Sequence, residues 1–414
     1  MKNINCLFKV QLSILFLLTS WNCSDTPIQS NLDHSNLQID TVTIFDMVGK
    51  NYTVSPNLGS NERLYLGKKN DIEIPISFIK MPLANYAQPN YWAYLNDTSI
   101  TVDSLRFVLF SNDSLLNEER SPSLFFSPDS QFDENTSTYL DYENYSLTSW
   151  LDIGKPNVII GIDSLTFFTK TEIIWDIDTL IESLSDTLDS NLVRTFAIKL
   201  DNSDSTSFIE IFSEEASQGE NDPQIIMYYR KTSTTVTDTT IIDTTDIKIY
   251  STGDLSIFHP NITNSNEENI LALGNGRGLR TFFQIPSITD SIPNGSLIRN
   301  ADLSFHMTSN TNAENYNLIL DPITQDTSLI DSTIVYSIDP FNTIGYPYRV
   351  SGYQDSNRVV FPIKNILQNM IMGNENNFGF KIVSDEKNEP FHTILLSKHN
   401  DVNRPRLEIV YVYD

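Results

Sequence analysis

Basic residues are scarce in this chain. It carries 27 Lys and Arg against 53 Asp and Glu, a formal charge of −26 at neutral pH. Such a surface repels phosphate backbones and anionic headgroups, so electrostatic binding of nucleic acid is excluded as a function class. Cysteine is nearly absent, with only Cys6 and Cys23, which leaves no disulfide framework and no thiolate zinc site. The five histidines include His34 near the start and His259, His306, His392 and His399 further on, and no pair has the spacing of a zinc-binding helix. There is no Gly-x-Ser-x-Gly elbow and no phosphate loop. The glycine-rich run Gly274-Asn275-Gly276-Arg277-Gly278 joins two expected strands and reads as a hairpin turn. Long hydrophobic runs are missing apart from residues 10–18, an apolar stretch too short to span a bilayer.

What is present is repetition. Leu64-Tyr65-Leu66-Gly67 is answered by Leu271-Ala272-Leu273-Gly274, and Phe78 to Pro82 by Phe282 to Pro286. Residues 100–107 match 298–305, 172–184 match 358–370, and 196–200 match 378–382. Pro223 to Tyr229 is answered by Pro405 to Tyr411. Six segments in one order mark a tandem duplication with units of a size suited to one core each. The apolar stretches are five to eight residues long, alternate in polarity and are divided by Asn, Asp, Ser, Gly and Pro clusters, which is the signature of antiparallel sheets. Helical spacing occurs once per repeat, at Ile177, Leu180, Ile181 and Leu184 and again at Ile363, Ile366, Leu367 and Met370. The expected fold is therefore all-β: two tandem antiparallel jelly-roll-like β-sandwich domains, each with one short helix over an open end.

The expected boundaries are a lipoprotein-type signal peptide at 1–22, a flexible tether at 23–40, a first domain at 41–230, a Thr/Asp-rich linker at 231–246 and a second domain at 247–414. Lys2 and Lys9 flank the apolar run, and Ser20-Trp21-Asn22-Cys23 is a loose lipoprotein cleavage box. Cys23 would be the lone thiol of the mature chain, and lipidation there accounts for it. The competing reading is ordinary secretion with an incidental cysteine. The 231–246 segment is read equally well as a connector or as the first edge strand of domain two. A long polar excursion spans 111–149.

The matched segments resemble the DNRLRE family, extracellular jelly-roll domains related to the disaggregatase repeat, some of whose members are carbohydrate-binding modules. The resemblance rests on Pro56-Asn57-Leu58-Gly59 before Leu64 to Gly67, on Met81-Pro82 and Ile285-Pro286, on Asp103 to Phe107 and Asn300 to Phe305, and on the Pro-led closing strands at Pro223 and Pro405. No literal DNRLRE string occurs. The family implies the fold firmly and the ligand weakly.

Carboxylates are too many for counting to decide on a glycosidase pair, yet the aligned strands carry no matched acidic pair, so no enzyme is expected. Aromatic residues in polar loops point elsewhere, because flat rings stack on the C–H faces of sugars while polar neighbours take the hydroxyls. The candidates are Tyr91, Trp92, Tyr94 and Trp150, with Tyr142 and Tyr145 nearby, in the first repeat, and Tyr346, Tyr348, Arg349 and Tyr353 in the second. The competing reading is that these rings cap the sandwich ends or fill the domain contact. Trp175 is assigned to the core because its counterpart is Phe361. No cofactor is expected; calcium is weakly indicated by the Asp201-Asn202-Ser203-Asp204 turn and by Ser384-Asp385-Glu386, whose spacing is not that of an EF-hand. The function expected is non-catalytic binding of a polysaccharide or other surface glycan by an exported lipoprotein that meets the membrane through its lipid alone, at the outer membrane or cell surface. The alternative is a structural or adhesive surface protein without a sugar ligand.

Overall fold

The computed structural model describes residues 37–414 apart from 84–90, 118–119, 144, 163–168, 186–191, 201–206, 217–220, 235–239, 262–268, 309–316, 326–330, 385–388 and 399–402. The signal segment, Cys23, His34, His399 and both expected calcium turns, save Ser384, lie outside the described residues. The fold is all-β with sandwich character, as the alternating pattern requires.

The sheets sort into two assemblies. In the first, one sheet runs Thr240–Tyr250, Gln224–Thr234, Ile100–Ser111, Thr169–Asp176, Asn157–Ile162. Opposite it lies a sheet ordered Gly253–Ser256, Ser77–Met81, Arg194–Lys199, Ser123–Ser127, Leu151–Gly154. Their inner faces meet around Phe107, Phe126, Trp175 and Phe196, all buried, with Phe107 and Phe196 stacked at 4.5 Å. The second assembly opposes Gln38–Ile44, Arg406–Tyr413, Leu297–His306, Arg358–Pro362, Tyr353–Asp355 to a sheet that includes Val48–Val54, Leu279–Gln284, Phe380–Ser384 and Leu318–Pro322. Phe283, Phe305, Phe361 and Phe380 fill that core. Trp175 in the first core and Phe361 in the second occupy matched places, as their sequence positions indicate.

The strand pairing departs from the expected boundaries. Residues 38–54, expected to open or precede the first domain, pair with the second assembly: Gln38–Ile44 lies antiparallel to Arg406–Tyr413, and Val48–Val54 to Leu279–Gln284. Conversely, Thr240–Tyr250 pairs with Gln224–Thr234, and Gly253–Ser256 with Ser77–Met81, so both complete the first assembly. The Thr/Asp-rich 231–246 segment is thus neither a linker nor the edge of domain two. Its described ends lie within the eleven-pair antiparallel ladder of Gln224–Thr234 and Thr240–Tyr250 in assembly one. Each assembly is completed by strands from the chain immediately preceding the other repeat. Propensity marks such segments as strands without naming their partners.

Two of the sequence matches also slip. Ile177 N donates to Leu105 O and Ile363 N to Ala301 O, both at 2.9 Å, so Leu105 corresponds to Ala301 and Phe107 to Leu303. Both strands carry a bulge, at Asp103 and at Arg299, at the same corrected position. Residues 102–109 therefore match 298–305, two positions from the alignment by letters. With Ile79 and Phe283 matched, Phe196 likewise corresponds to Phe380 instead of Phe378. A slip of two keeps every side chain on its own face.

Helical turns follow where the spacing places them. Asp178–Leu180 and Ile181–Ser185 bury Leu180 and Leu184, and Lys364–Ile371 buries Ile366, Leu367 and Met370. The two excursions cover outer sheet faces. In the first assembly, residues 132–150 lay Phe132, Tyr139 and Trp150 over Phe78. In the second, Phe341 stacks on Phe282, beside Asp339 and its ion pairs to Lys381 and Arg280. At the seam between assemblies, Phe391 packs edge-on against Tyr65 and Phe208, with Lys69 Nζ 4.7 Å from its ring.

Candidate functional site

The aromatic candidates separate once placed in the fold. Trp92 is 1 % exposed, donates Nε1 to Pro82 O at 2.9 Å, and lies under the Arg194 guanidinium at 4.5 Å. Arg194, itself buried, donates to Leu184 O at the end of the helical turn. Trp92 therefore closes the sandwich end and offers no face to a ligand, which removes it from the expected binding set. Tyr91 and Tyr94 pack partly against the same core, and Tyr94 meets Tyr229 edge-on at 5.5 Å. These three residues act as an end cap.

In the second assembly the candidates do not share one role. Tyr348 packs against the core, and Arg349 grips the buried Asp321 carboxylate through Nε at 2.9 and 3.0 Å and Nη2 at 2.7 Å. Arg349 is thereby committed to an ion pair within the fold. Tyr346 is 92 % exposed and Tyr353 stands on an edge strand, also exposed.

Trp150 has a different setting. It lines a groove of about 570 Å³ together with Tyr142, Tyr145, Thr148, Asp152 and Lys199. Phe78, on a central strand, supports the rings from beneath, with centroids 5.0 Å from Tyr142 and 5.5 Å from Tyr145. Tyr142 and Tyr145 meet edge-on at 4.9 Å, and Tyr145 and Trp150 at 6.2 Å. Trp150 is held by its backbone N donating to Leu147 O, inside a short turn capped by Ser146 Oγ. A turn seated on a sheet holds these rings with little conformational freedom to lose on binding. Such a groove presents apolar faces and hydroxyl-pairing groups together.

A second constellation escaped the sequence reading. Glu134, Glu214 and Glu215 each place a carboxylate oxygen within 4.8 Å of the others. Asp254 lies behind them, 1 % exposed, accepting from Glu214 N at 2.7 Å, while its own N donates to Glu134 Oε1 at 2.9 Å. The chain is built to bring Glu134 close. Asn57 Nδ2 donates to Glu134 O at 2.9 Å, and a Cβ on Gly59 would lie 2.1 Å from that same oxygen. Burial, reinforced by the Glu134 charge, pushes the Glu215 carboxyl up to about 7. Burial and Glu214 push Asp222 up to about 6, and burial raises Glu134 and Asp254 as well. The one local sign is Asp254, a carboxylate beside Leu255 in the strand Gly253–Ser256, whose four residues are all buried. Its partners, 120 and 40 residues away, gave none.

No family model matches this chain, and no curated protein does. A solved structure named BspA_C_WT is similar at 8 % identity, over 84 % of this chain and 90 % of that one, with a TM-score of 0.15, too low to carry an argument about fold or function.

Proposed function

We propose that the protein is a non-catalytic polysaccharide-binding protein of the cell surface, exported and anchored through Cys23, with the Tyr142–Tyr145–Trp150 groove as its sugar site. The observation that carries this reading is the convergence of three rings and the polar groups of Asp152, Lys199 and Thr148 on one groove. Pyranose rings stack on such faces, and fixed polar groups take the hydroxyls. The charge of −26 selects against polyanionic polymers, so the ligand class is a neutral or basic glycan. The two-domain jelly-roll arrangement and the DNRLRE resemblance belong to the same proposal, and the duplicated framework strands are what support them.

Affinity electrophoresis on neutral polysaccharides, with mature protein, tests it. Tyr145→Ala is expected to weaken retention roughly tenfold, since one lost ring–sugar stack is worth on the order of 1–1.5 kcal/mol. Tyr346→Ala, on the far assembly, is expected to leave retention unchanged. Absence of retention on every polysaccharide tried would favour the structural or adhesive alternative.

A further inference from the structure

We propose that Glu134, Glu214, Glu215 and the buried Asp254 form a binding site for a calcium-type divalent cation in the first assembly. The donor set is all oxygen, without His or Cys, which selects a hard cation over zinc or copper. Two oxygens each about 2.4 Å from one Ca²⁺ lie at most about 4.8 Å apart, and the three glutamate oxygens satisfy that limit.

A carboxylate cluster alone would be weak grounds. The independent observation is Asn61, 1 % exposed, whose Oδ1 and Nδ2 both lack a hydrogen-bond partner among the described residues. Its place follows from the ladder. Phe212 pairs with Arg63 and Ser213 N donates to Glu62 O at the ladder's end, where Ser213 Oγ donates to Asn61 O; Gly59, two residues before Asn61, abuts Glu134, so Asn61 stands between the stretches that carry Glu134 and Glu214. A buried amide oxygen without a donor costs on the order of 1–3 kcal/mol, and a cation between it and the carboxylates removes that cost. Glu215 Oε2 and Asp222 Oδ1 are likewise closed from solvent and unpartnered among the described residues.

The site belongs to one assembly. Asp254 stands opposite Ile79, and in the second assembly the position opposite Phe283 is Gly49, which has no carboxylate to offer. Glu134 comes from the excursion, Glu214 and Glu215 from the turn after Phe208–Phe212, and Asp254 from a borrowed strand. A cation here would tie three separate stretches of chain together.

The test uses the full mature chain, stripped with EGTA and titrated with CaCl₂ by calorimetry at pH 7.5. One saturable equivalent is expected, with a higher Tm in calcium than in EGTA. Glu134→Gln is expected to lower the affinity roughly tenfold or more, and Glu143→Gln, which lies outside the cluster, to leave it unchanged. Should Glu134→Gln fail to fold, Tb³⁺ luminescence on the unaltered chain serves instead, with one calcium-displaceable site expected. Diffuse, non-saturating binding that is equal in both variants, or no calcium-dependent change in Tm together with no displaceable Tb³⁺, would overturn the proposal.

Discussion

Trp92 and Trp150 differ by only a few per cent in exposure, 1 % against 7 %, yet their settings assign them opposite roles. The Trp92 indole is enclosed by an arginine face and a carbonyl acceptor, so all of its surface is used inside the fold. Trp150 lines a groove together with Tyr142 and Tyr145. Trp92→Ala should therefore cost roughly 3–5 kcal/mol of stability, read as a shift in the urea midpoint. The folded fraction should keep its glycan retention. A loss of retention without a loss of stability would return Trp92 to the binding set. Both tryptophans lie in polar, turn-rich sequence, and nothing in the letters around them distinguishes the two. What distinguishes them is what the rest of the chain packs against each face.

At the scale of elements, the strands at 38–54 matter most. They satisfy the backbone edges of Arg406–Tyr413 and of Leu279–Gln284 and set Ile44 and Met47 in the second core. Deleting residues 37–54 should strip hydrogen-exchange protection from 279–284 and 406–413 while 77–81 and 224–234 keep theirs. Protection lost equally in both assemblies would contradict the pairing described above. The strands themselves were legible in the sequence, as were the helical turns and the inward faces of Leu303, Phe305 and Phe361. Their register was not. Period-two alternation cannot detect a slip of two residues, which is why 102–109 and not 100–107 matches 298–305.

For the molecule as a whole, the charge of −26 gains a local consequence in the acidic cluster. Glu215 ionises near 4.5 when unfolded and is raised to about 7 when folded, chiefly by burial. The folded state then holds more protons between those values, so this group's contribution to stability falls as pH rises through that window. In EGTA, Glu215→Gln should be more stable than the parent at pH 8, and the difference should shrink towards pH 4.5. Thermal melts at the two pH values check this, and an advantage that grows on acidification would refute the assigned cause. Calcium should flatten the parent's pH dependence, because a cation replaces the shared protons.

Taken alone, the sequence determined the all-β class, the short helical turns and which side of most strands faces inward, since these follow from local periodicity and composition. Only the tertiary structure decided which strand pairs with which, that each assembly is completed by chain from beyond its own repeat, and that Glu134, Glu214, Glu215 and Asp254 meet. The physical reason is range. Alternation is a property of neighbouring residues, whereas partner choice and carboxylate convergence arise from closing loops of tens to hundreds of residues, on which local pattern carries no information.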